Sequence, residues 1–482
     1  MRYRLVLPLA VCLCMVWVVG ATGHPVDDPG GELARYVGAE DGSFSYEQRA
    51  AAEIGGVEIV ELQMVSQTWR GVAWKHRVFI LKPRDVVRPG QGVLIVAGGS
   101  WKDDYEPALA DTSDVPGSVR MFIAAAERLG SVVTVVANVP FQPMFDGKKE
   151  DELIAYTLDR YLETGDETWP LLLPMTKSAS AAMDVAQRYA RDTWAIDIEK
   201  FTVAGASKRG WTTWLIGAVD DRVNAIAPIV IDMLNMGDQM HHQVDTWGGY
   251  SNMIEPYTRL NIVSRFDTPR GQALRQIIDP YAYREKLAGI QKTVLLGTND
   301  AYWPVDAANM YWGGLSGGKT LVNVPNTGHK METGVMQIIS WLVDTHLSAV
   351  GELELPRPSW ASVLTGEHCT IEVSSQQAPT HANLWWADAP TRDFREARWQ
   401  FRPIPEVSDR FGAEIARPAR GYRAAFVSLR YAGLQTVRKY RRRSACLQAK
   451  PPATHAGSGV NDPRGIRGYT MRVGLGYALV WR

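Results

Sequence analysis

Ser207 is the first residue in the chain that offers chemistry. It lies in Thr202-Val203-Ala204-Gly205-Ala206-Ser207-Lys208-Arg209-Gly210, where an apolar run breaks into a turn of small residues. Trp211 to Val219 then reads as a helix, so the serine sits at the apex of a strand–turn–helix. Such a turn lifts a hydroxyl clear of the backbone, and the helix start beneath it favours developing negative charge. Gly205, Ala206 and Gly210 suit a tight turn with strand and helix closely packed. The spacing is G-x-S-x-x-G rather than the commoner G-x-S-x-G, with Arg209 in the slot of the second glycine. A structural β–α turn that holds a serine would look the same locally, so the partners decide.

A nucleophilic serine needs a base, an acid that orients the base, and donors for the oxyanion. On this kind of turn the chain order is Ser, then Asp or Glu, then His. His329 ends Val324-Pro325-Asn326-Thr327-Gly328-His329, a loop straight after the apolar run Thr320–Val324, which is where the base belongs. Asp300 follows the run Thr293–Gly297 and is the expected acid; Asp232, ending the run Ala225–Ile231, is the alternative acid. Asp306 reads instead as the cap of a helix over Ala307–Trp312, and His346 as a surface or packing residue inside a closing helix. The expected oxyanion donors are the backbone N–H of Lys208 and that of Gly99 or Ser100, in the loop after Val93–Ala97. Lys208 and Arg209 are either electrostatic helpers or ordinary solvated charges. Trp101 and Trp303 fall near strand ends and are candidates for a substrate pocket.

These residues need a scaffold. Gly56–Trp69 and Trp74–Lys82 read as an antiparallel hairpin. Val93–Ala97, Ser131–Val139, Phe201–Ala204, Ala225–Ile231, Thr293–Gly297 and Thr320–Val324 read as buried strands. Helical stretches alternate with them at Met121–Leu129, Glu150–Glu163, Pro174–Thr193, Trp211–Val219 and Thr333–His346. Continuous apolar strands alternating with helices imply a mostly parallel sheet with helices on both faces. With the leading hairpin, this is the layout of the α/β-hydrolase fold, expected over 46–350. Residues 232–285 read as a helical cap insertion. Residues 357–446, rich in Thr, Val, Trp and Arg in short alternating runs, read as a small C-terminal β-sandwich. Residues 24–45 read as a loose leader, and 447–482 as a tail without a firm fold signal.

Arg2 and Arg4 precede an apolar stretch, Leu5–Val19, and then Gly20-Ala21-Thr22-Gly23. This reads as a signal peptide over 1–23, hence an exported, periplasmic or secreted protein with no stable membrane span after cleavage. Cys12 and Cys14 would leave with it, and Cys369 and Cys446 would then be either bridged or free. Lys plus Arg and Asp plus Glu balance at 52 each, so no nucleic-acid partner is expected. Gly313-Gly314-Leu315-Ser316-Gly317-Gly318-Lys319-Thr320 matches the G-x-x-x-x-G-K-[ST] phosphate loop. That loop works only between a strand and a following helix, and here the order is reversed, so no nucleotide is expected. His241-His242 lacks the companions of a metal site and reads as a solvated pair. No metal and no cofactor are expected.

Several stretches together resemble the PhoPQ-activated pathogenicity-related family, which also includes autocrine proliferation repressor-like proteins. They are Val139-Pro140-Phe141-Gln142-Pro143, Thr164-Gly165-Asp166-Glu167-Thr168-Trp169-Pro170, Pro174-Met175-Thr176-Lys177, Gly205–Thr212, Val230–Met236 and Val324–His329. The resemblance runs from about Tyr46 to about Tyr431. It implies an α/β-hydrolase fold, export, and Ser207, Asp300 and His329 as a triad, in a family of poorly defined activity. The G-A-S-K-R-G spacing is also similar to that of glucuronoyl esterases, which implies that a basic residue after the serine assists the oxyanion. Some family members are linked to dipeptidyl-peptidase-like cleavage, although no acidic pair for capturing a free amine stands out. Near its end the chain departs from the family: a last Thr/Val-rich strand is due where Lys439-Tyr440-Arg441-Arg442-Arg443 stands.

The expected activity is a serine hydrolase acting on a small-molecule ester, with a peptide as the other substrate class. The rival from another class is a secreted regulatory or binding protein that keeps the fold without useful catalysis. A third reading makes the sandwich a sugar-binding module of a carbohydrate esterase.

Overall fold

The computed structural model describes residues 31–102, 105, 115–407, 410–431 and 471–481. The expected signal peptide, the start of the leader, most of the tail and Cys446 lie outside the described residues.

One nine-stranded sheet organises the larger part. Its strands are β1 (Ser45–Ile54), β2 (Val57–Trp69), β3 (Val72–Lys82), β4 (Gln91–Val96) and β5 (Val133–Val136), followed by β6 (Lys200–Ala206), β7 (Val223–Ile229), β8 (Gln291–Gly297) and β9 (Lys319–Val324). The order across the sheet is β1-β2-β3-β5-β4-β6-β7-β8-β9. The first three are antiparallel and β3 meets β5 antiparallel. From β5 onward every neighbour is parallel. β4 is buried along its whole length and β8 at all but its first residue, the pattern of strands covered on both faces.

Helices cover both faces. They are α1 (Gly31–Gly38), α2 (Gly117–Arg120), α3 (Ile123–Leu129), α4 (Glu150–Thr164), α5 (Leu172–Trp194), α6 (Lys208–Val219), α7 (Met236–Trp247), α8 (Glu255–Arg259), α9 (Pro269–Ile278) and α10 (Val335–Ala349). Buried side chains of α4, α5, α6, α7 and α9 share one core with one face of the sheet. Those of α3 and α10 share a second core with the other face. Segment 232–285 is helical as expected, with α7, α8 and α9 joined by 3₁₀ turns. This is an α/β-hydrolase fold.

Two four-stranded antiparallel sheets form the C-terminal sandwich. The first holds β10 (Ser359–Thr365), β11 (His368–Ser374), β14 (Glu406–Val407) and β15 (Arg410–Ala416). The second holds β12 (His381–Ala389), β13 (Gln400–Pro403), β16 (Tyr422–Tyr431) and β17 (Met471–Trp481). Cys369, Ile371, Leu384 and Val427 are buried in the same core as α3 and α10, so the two units share apolar packing.

Two expectations are corrected here. The leader is not loose throughout: α1 buries Leu33, and β1 forms the sheet edge ahead of the expected hairpin. The tail does hold a strand, because β17 pairs antiparallel with β16 from Tyr431↔Met471 to Arg423↔Trp481. The last sandwich strand is displaced along the sequence rather than lost.

Candidate active site

The turn after β6 takes the shape that its small residues allow. Ser207 has φ 56° and ψ −123°, and its N–H donates to Ile229 O at 2.8 Å. A Cβ on Gly205 would lie 2.5 Å from Arg209 O, and one on Gly210 would lie 2.7 Å from Ile231 Cγ2. Helix and strands therefore meet with no room for side chains at either position. α6 starts at Lys208, three residues before the expected Trp211.

β8 and β9 deliver the two partners. His329 Nε2 lies 2.8 Å from Ser207 Oγ, and His329 Nδ1 lies 2.8 Å from Asp300 Oδ2. A carboxylate oxygen is an acceptor, so this geometry suits a hydrogen on Nδ1, with Nε2 facing the serine hydroxyl. Asp300 Oδ1 accepts the Tyr302 backbone N–H at 2.8 Å, so both of its oxygens are engaged. The Tyr302 ring lies 4.2 Å from the His329 ring at 34°, covering the imidazole face.

The alternative acid is corrected. The carboxylate that bonds His329 is that of Asp300, whereas Asp232 is buried and accepts from Tyr311 Oη at 2.6 Å. Burial, with the nearby charges of Asp300 and Asp306, pushes its carboxyl up to about 7 against the pull of the Tyr311 hydroxyl. Asp306 stands before a 3₁₀ turn but makes no capping bond. It accepts from His242 Nε2 at 2.7 Å instead, so of the expected solvated pair only His241 is exposed. No metal-holding cluster of His, Cys, Asp and Glu occurs among the described residues. His346 is fully buried, bonding Ser131 Oγ at 2.9 Å and Thr202 Oγ1 at 3.2 Å.

Lys208 and Arg209 are not solvated charges, since each is only 9% exposed. Lys208 Nζ lies 2.8 Å from Asp151 Oδ2, and Arg209 forks onto Glu150 at 2.6 and 2.8 Å. Burial would raise the Glu150 carboxyl, but Arg209, Gln142 and Lys208 together pull it down to about 2. Asp151 also accepts from Tyr257 Oη at 3.0 Å and Tyr302 Oη at 3.1 Å. Sequence reasoning missed Asp151 and Tyr302. Asp151 sits in the acidic first turn of α4, where an acid reads as ordinary helix-start chemistry.

A cavity of ≈ 60 Å³ opens beside the serine. Ser207, Lys208, Asp151, Tyr257, Tyr302 and His329 form its polar end. Trp211, Ile231, Met233, Met236, Met240, Ile254, Val263, Phe266 and Trp303 form the apolar remainder, mostly from segment 232–285. Trp303 is one of the residues lining this cavity. Trp101 does not line this cavity among the described residues; its ring packs on Tyr105 and Phe141. Gly99 (φ 116°) and Ser100 lie in a loop held through their carbonyls, which accept from Gln142 Nε2 at 3.2 Å and Asn138 Nδ2 at 3.0 Å. The phosphate-loop look-alike runs from a 3₁₀ turn into β9, and Lys319 Nζ donates to Trp312 O and Leu315 O at 2.6 Å.

Among solved structures the chain is similar to acetyl xylan esterase 1 from Thermoanaerobacterium sp. JW/SL YS485, at 14% identity and a TM-score of 0.42 over 66% of this chain and 94% of that one. It is similar to glucuronoyl esterase from Solibacter usitatus at 13% identity and a TM-score of 0.40, over 66% and 91%. Both likenesses are distant. Autocrine proliferation repressor protein A of Dictyostelium discoideum is 29% identical over 467 residues, covering 88% of this chain and 89% of that protein. Residues 33–395 match the model of the PhoPQ-activated pathogenicity-related proteins, and the chain belongs to that family.

Proposed function

We propose that the protein is an exported serine hydrolase that cleaves a carboxylic ester through an acyl-enzyme on Ser207. The observation that carries this reading is the unbroken relay Ser207 Oγ–His329 Nε2–Asp300 at 2.8 Å per step, opening onto a cavity. Ser207 Oγ attacks the carbonyl carbon while its proton passes to His329 Nε2. Asp300 holds the imidazole in the required tautomer and stabilises the imidazolium. The N–H of Lys208 at the start of α6, with that of Gly99 or Ser100, holds the oxyanion, and the Lys208 ammonium adds positive charge nearby. The tetrahedral intermediate collapses, and His329 returns the proton to the departing alkoxide. Water then repeats the sequence and releases the acid.

The cavity favours an apolar group next to the scissile carbonyl. Its walls are mostly apolar side chains, Trp211, Ile231, Phe266 and Trp303 among them, which suit an apolar group better than a charged one. The three methionines give it some adaptability.

One observation favours a second reading, cleavage of a short peptide with a free amino terminus. Asp151 reaches the cavity, with Glu150 beside it. Both carboxylates are already paired with Lys208 and Arg209, so a substrate ammonium would have to displace an existing partner. The ester reading needs no such exchange.

The deciding experiment is labelling of the mature protein with a fluorophosphonate, read by intact mass and peptide mapping. A single adduct on Ser207, absent in His329→Ala, is expected. A folded protein that takes no adduct between pH 6 and 9 overturns the hydrolase reading in favour of a binding or regulatory role.

A further inference from the structure

The loops that carry Asp300 and His329 are fastened to the C-terminal sandwich. They first bind each other: Asn299 N donates to Thr327 O at 3.0 Å, and Asn326 N to Thr298 Oγ1 at 3.0 Å. Two asparagine side chains then reach out of the hydrolase unit. Asn299 Nδ2 faces the backbone carbonyls of Phe394, Arg395 and Ala397 at 3.2, 3.1 and 2.7 Å. Asn326 makes a two-way bond with one residue, Nδ2 to Trp399 O at 3.0 Å and Oδ1 from Trp399 N at 2.8 Å.

The receiving segment is anchored in the sandwich. Trp399 is 3% exposed and packs on Phe426 of β16 at 5.2 Å, with Phe394 in the same cluster. Its position is set by that sheet, and Asn299 and Asn326 take their positions from it. One asparagine immediately precedes Asp300, and the other stands three residues before His329. An interface that merely joined two units would have no reason to seize these two loops side by side.

We propose that Asn299 and Asn326 are positioning residues, through which the sandwich holds the acid and base loops in register with Ser207. This rests on the reading of Ser207 as nucleophile. The sandwich then acts as part of the catalytic scaffold and not as an appended recognition module. A displacement of about 1 Å in such a constellation costs about 10²-fold in rate, which sets the size of the expected effect.

The test compares Asn299→Ala, Asn326→Gly and Arg392→Ala in the full chain. Asn326 has φ 57°, which glycine adopts without strain, so that variant removes the side chain alone. Arg392 Nη1 donates to Asp245 O at 3.4 Å across the same interface, so its loss weakens that interface while Asn299 and Asn326 keep their partners. Each protein is first checked for native circular dichroism and Tm. The rate of fluorophosphonate labelling is then resolved into its maximal rate and its half-saturating concentration. The two asparagine variants are expected to lose about 10- to 100-fold in maximal rate, with half-saturation unchanged and Arg392→Ala near wild type. If one asparagine variant fails to fold, the other carries the test. Wild-type rates in the asparagine variants overturn the proposal. So does an equal loss in all three that follows Tm, which would make the contact simple adhesion. A wild type that takes no label at Ser207 overturns the hydrolase reading, and this proposal with it.

Discussion

Ser207–His329 and Ser131–His346 are both hydrogen-bonded serine–histidine pairs, at 2.8 and 2.9 Å. Beyond the serine they have little in common. The far nitrogen of His329 meets a carboxylate, whereas that of His346 meets the Thr202 hydroxyl at 3.2 Å. Ser207 opens on a cavity, while Ser131 is fully buried. Burial, helped by the Arg88 charge, holds the His346 imidazole down to about 3, so it stays neutral and takes no proton near pH 7. A serine touching a histidine is therefore not yet chemistry. An orienting carboxylate and a route for a reactant separate the two.

The largest effect should come from removing the hydroxyls themselves. Ser207→Ala is expected to abolish fluorophosphonate labelling, while Ser131→Ala labels at the wild-type rate; equal labelling of both would erase the distinction. Next comes the carboxylate. Asp300→Asn should slow turnover of a short-chain ester by about 10³- to 10⁴-fold, while Asp232→Asn changes it less than about threefold. Lys208→Met should cost about 10- to 10²-fold in the same assay if its charge serves the oxyanion. Turning to the second pair, Ser131→Ala leaves a buried ring nitrogen without its partner and should lower stability by about 1–3 kcal/mol in urea unfolding.

The smallest effect is a dependence on pH. The folded-state pKa of His346 lies below the ordinary 6.5. The unfolded chain therefore binds the extra proton between the two values, and stability is lost as pH falls from 6.5 towards 3. His76, held to about 4 by burial, has the same sign. Asp232 has the opposite sign. Its carboxyl is raised to about 7, so the folded chain binds the extra proton and stability declines as pH rises from about 4 to 7. His346→Leu should flatten the acid limb of an unfolding profile and Asp232→Asn the neutral limb; unchanged slopes would mean that these groups titrate alike in both states.

The relay was legible in the sequence because each member sits in a local pattern, an apolar run followed by a short loop, and because the chain order is diagnostic. The parallel strands were legible for the same reason. β1 was not: Ser45–Ile54 is rich in Glu, Gln, Arg and Ala, which favour helix in isolation, and edge pairing with β2 overrides that preference. Trp101 lies off the cavity beside Ser207, because a position near a strand end fixes where a residue is and not which way its ring turns. Asp151 reaches the site from α4, which passes beneath Arg209 and Lys208, and no spacing in the chain encodes that approach. The ties from Asn299 and Asn326 depend on how two units dock, which is settled only by their shared core.

The backbone of Ser207 has a consequence for how such a protein can drift. With φ at 56° and ψ at −123°, the residue occupies a region that side chains avoid, at a cost of about 1–3 kcal/mol. Glycine would relax it at once. A descendant with no use for the hydroxyl would thus gain stability from a single substitution at this position, a step open to any lineage that had become a pure binding protein. On the proposed hydrolase reading, position 207 is consequently a place where loss of catalysis should leave an early trace, and where keeping a serine runs against the thermodynamic gradient.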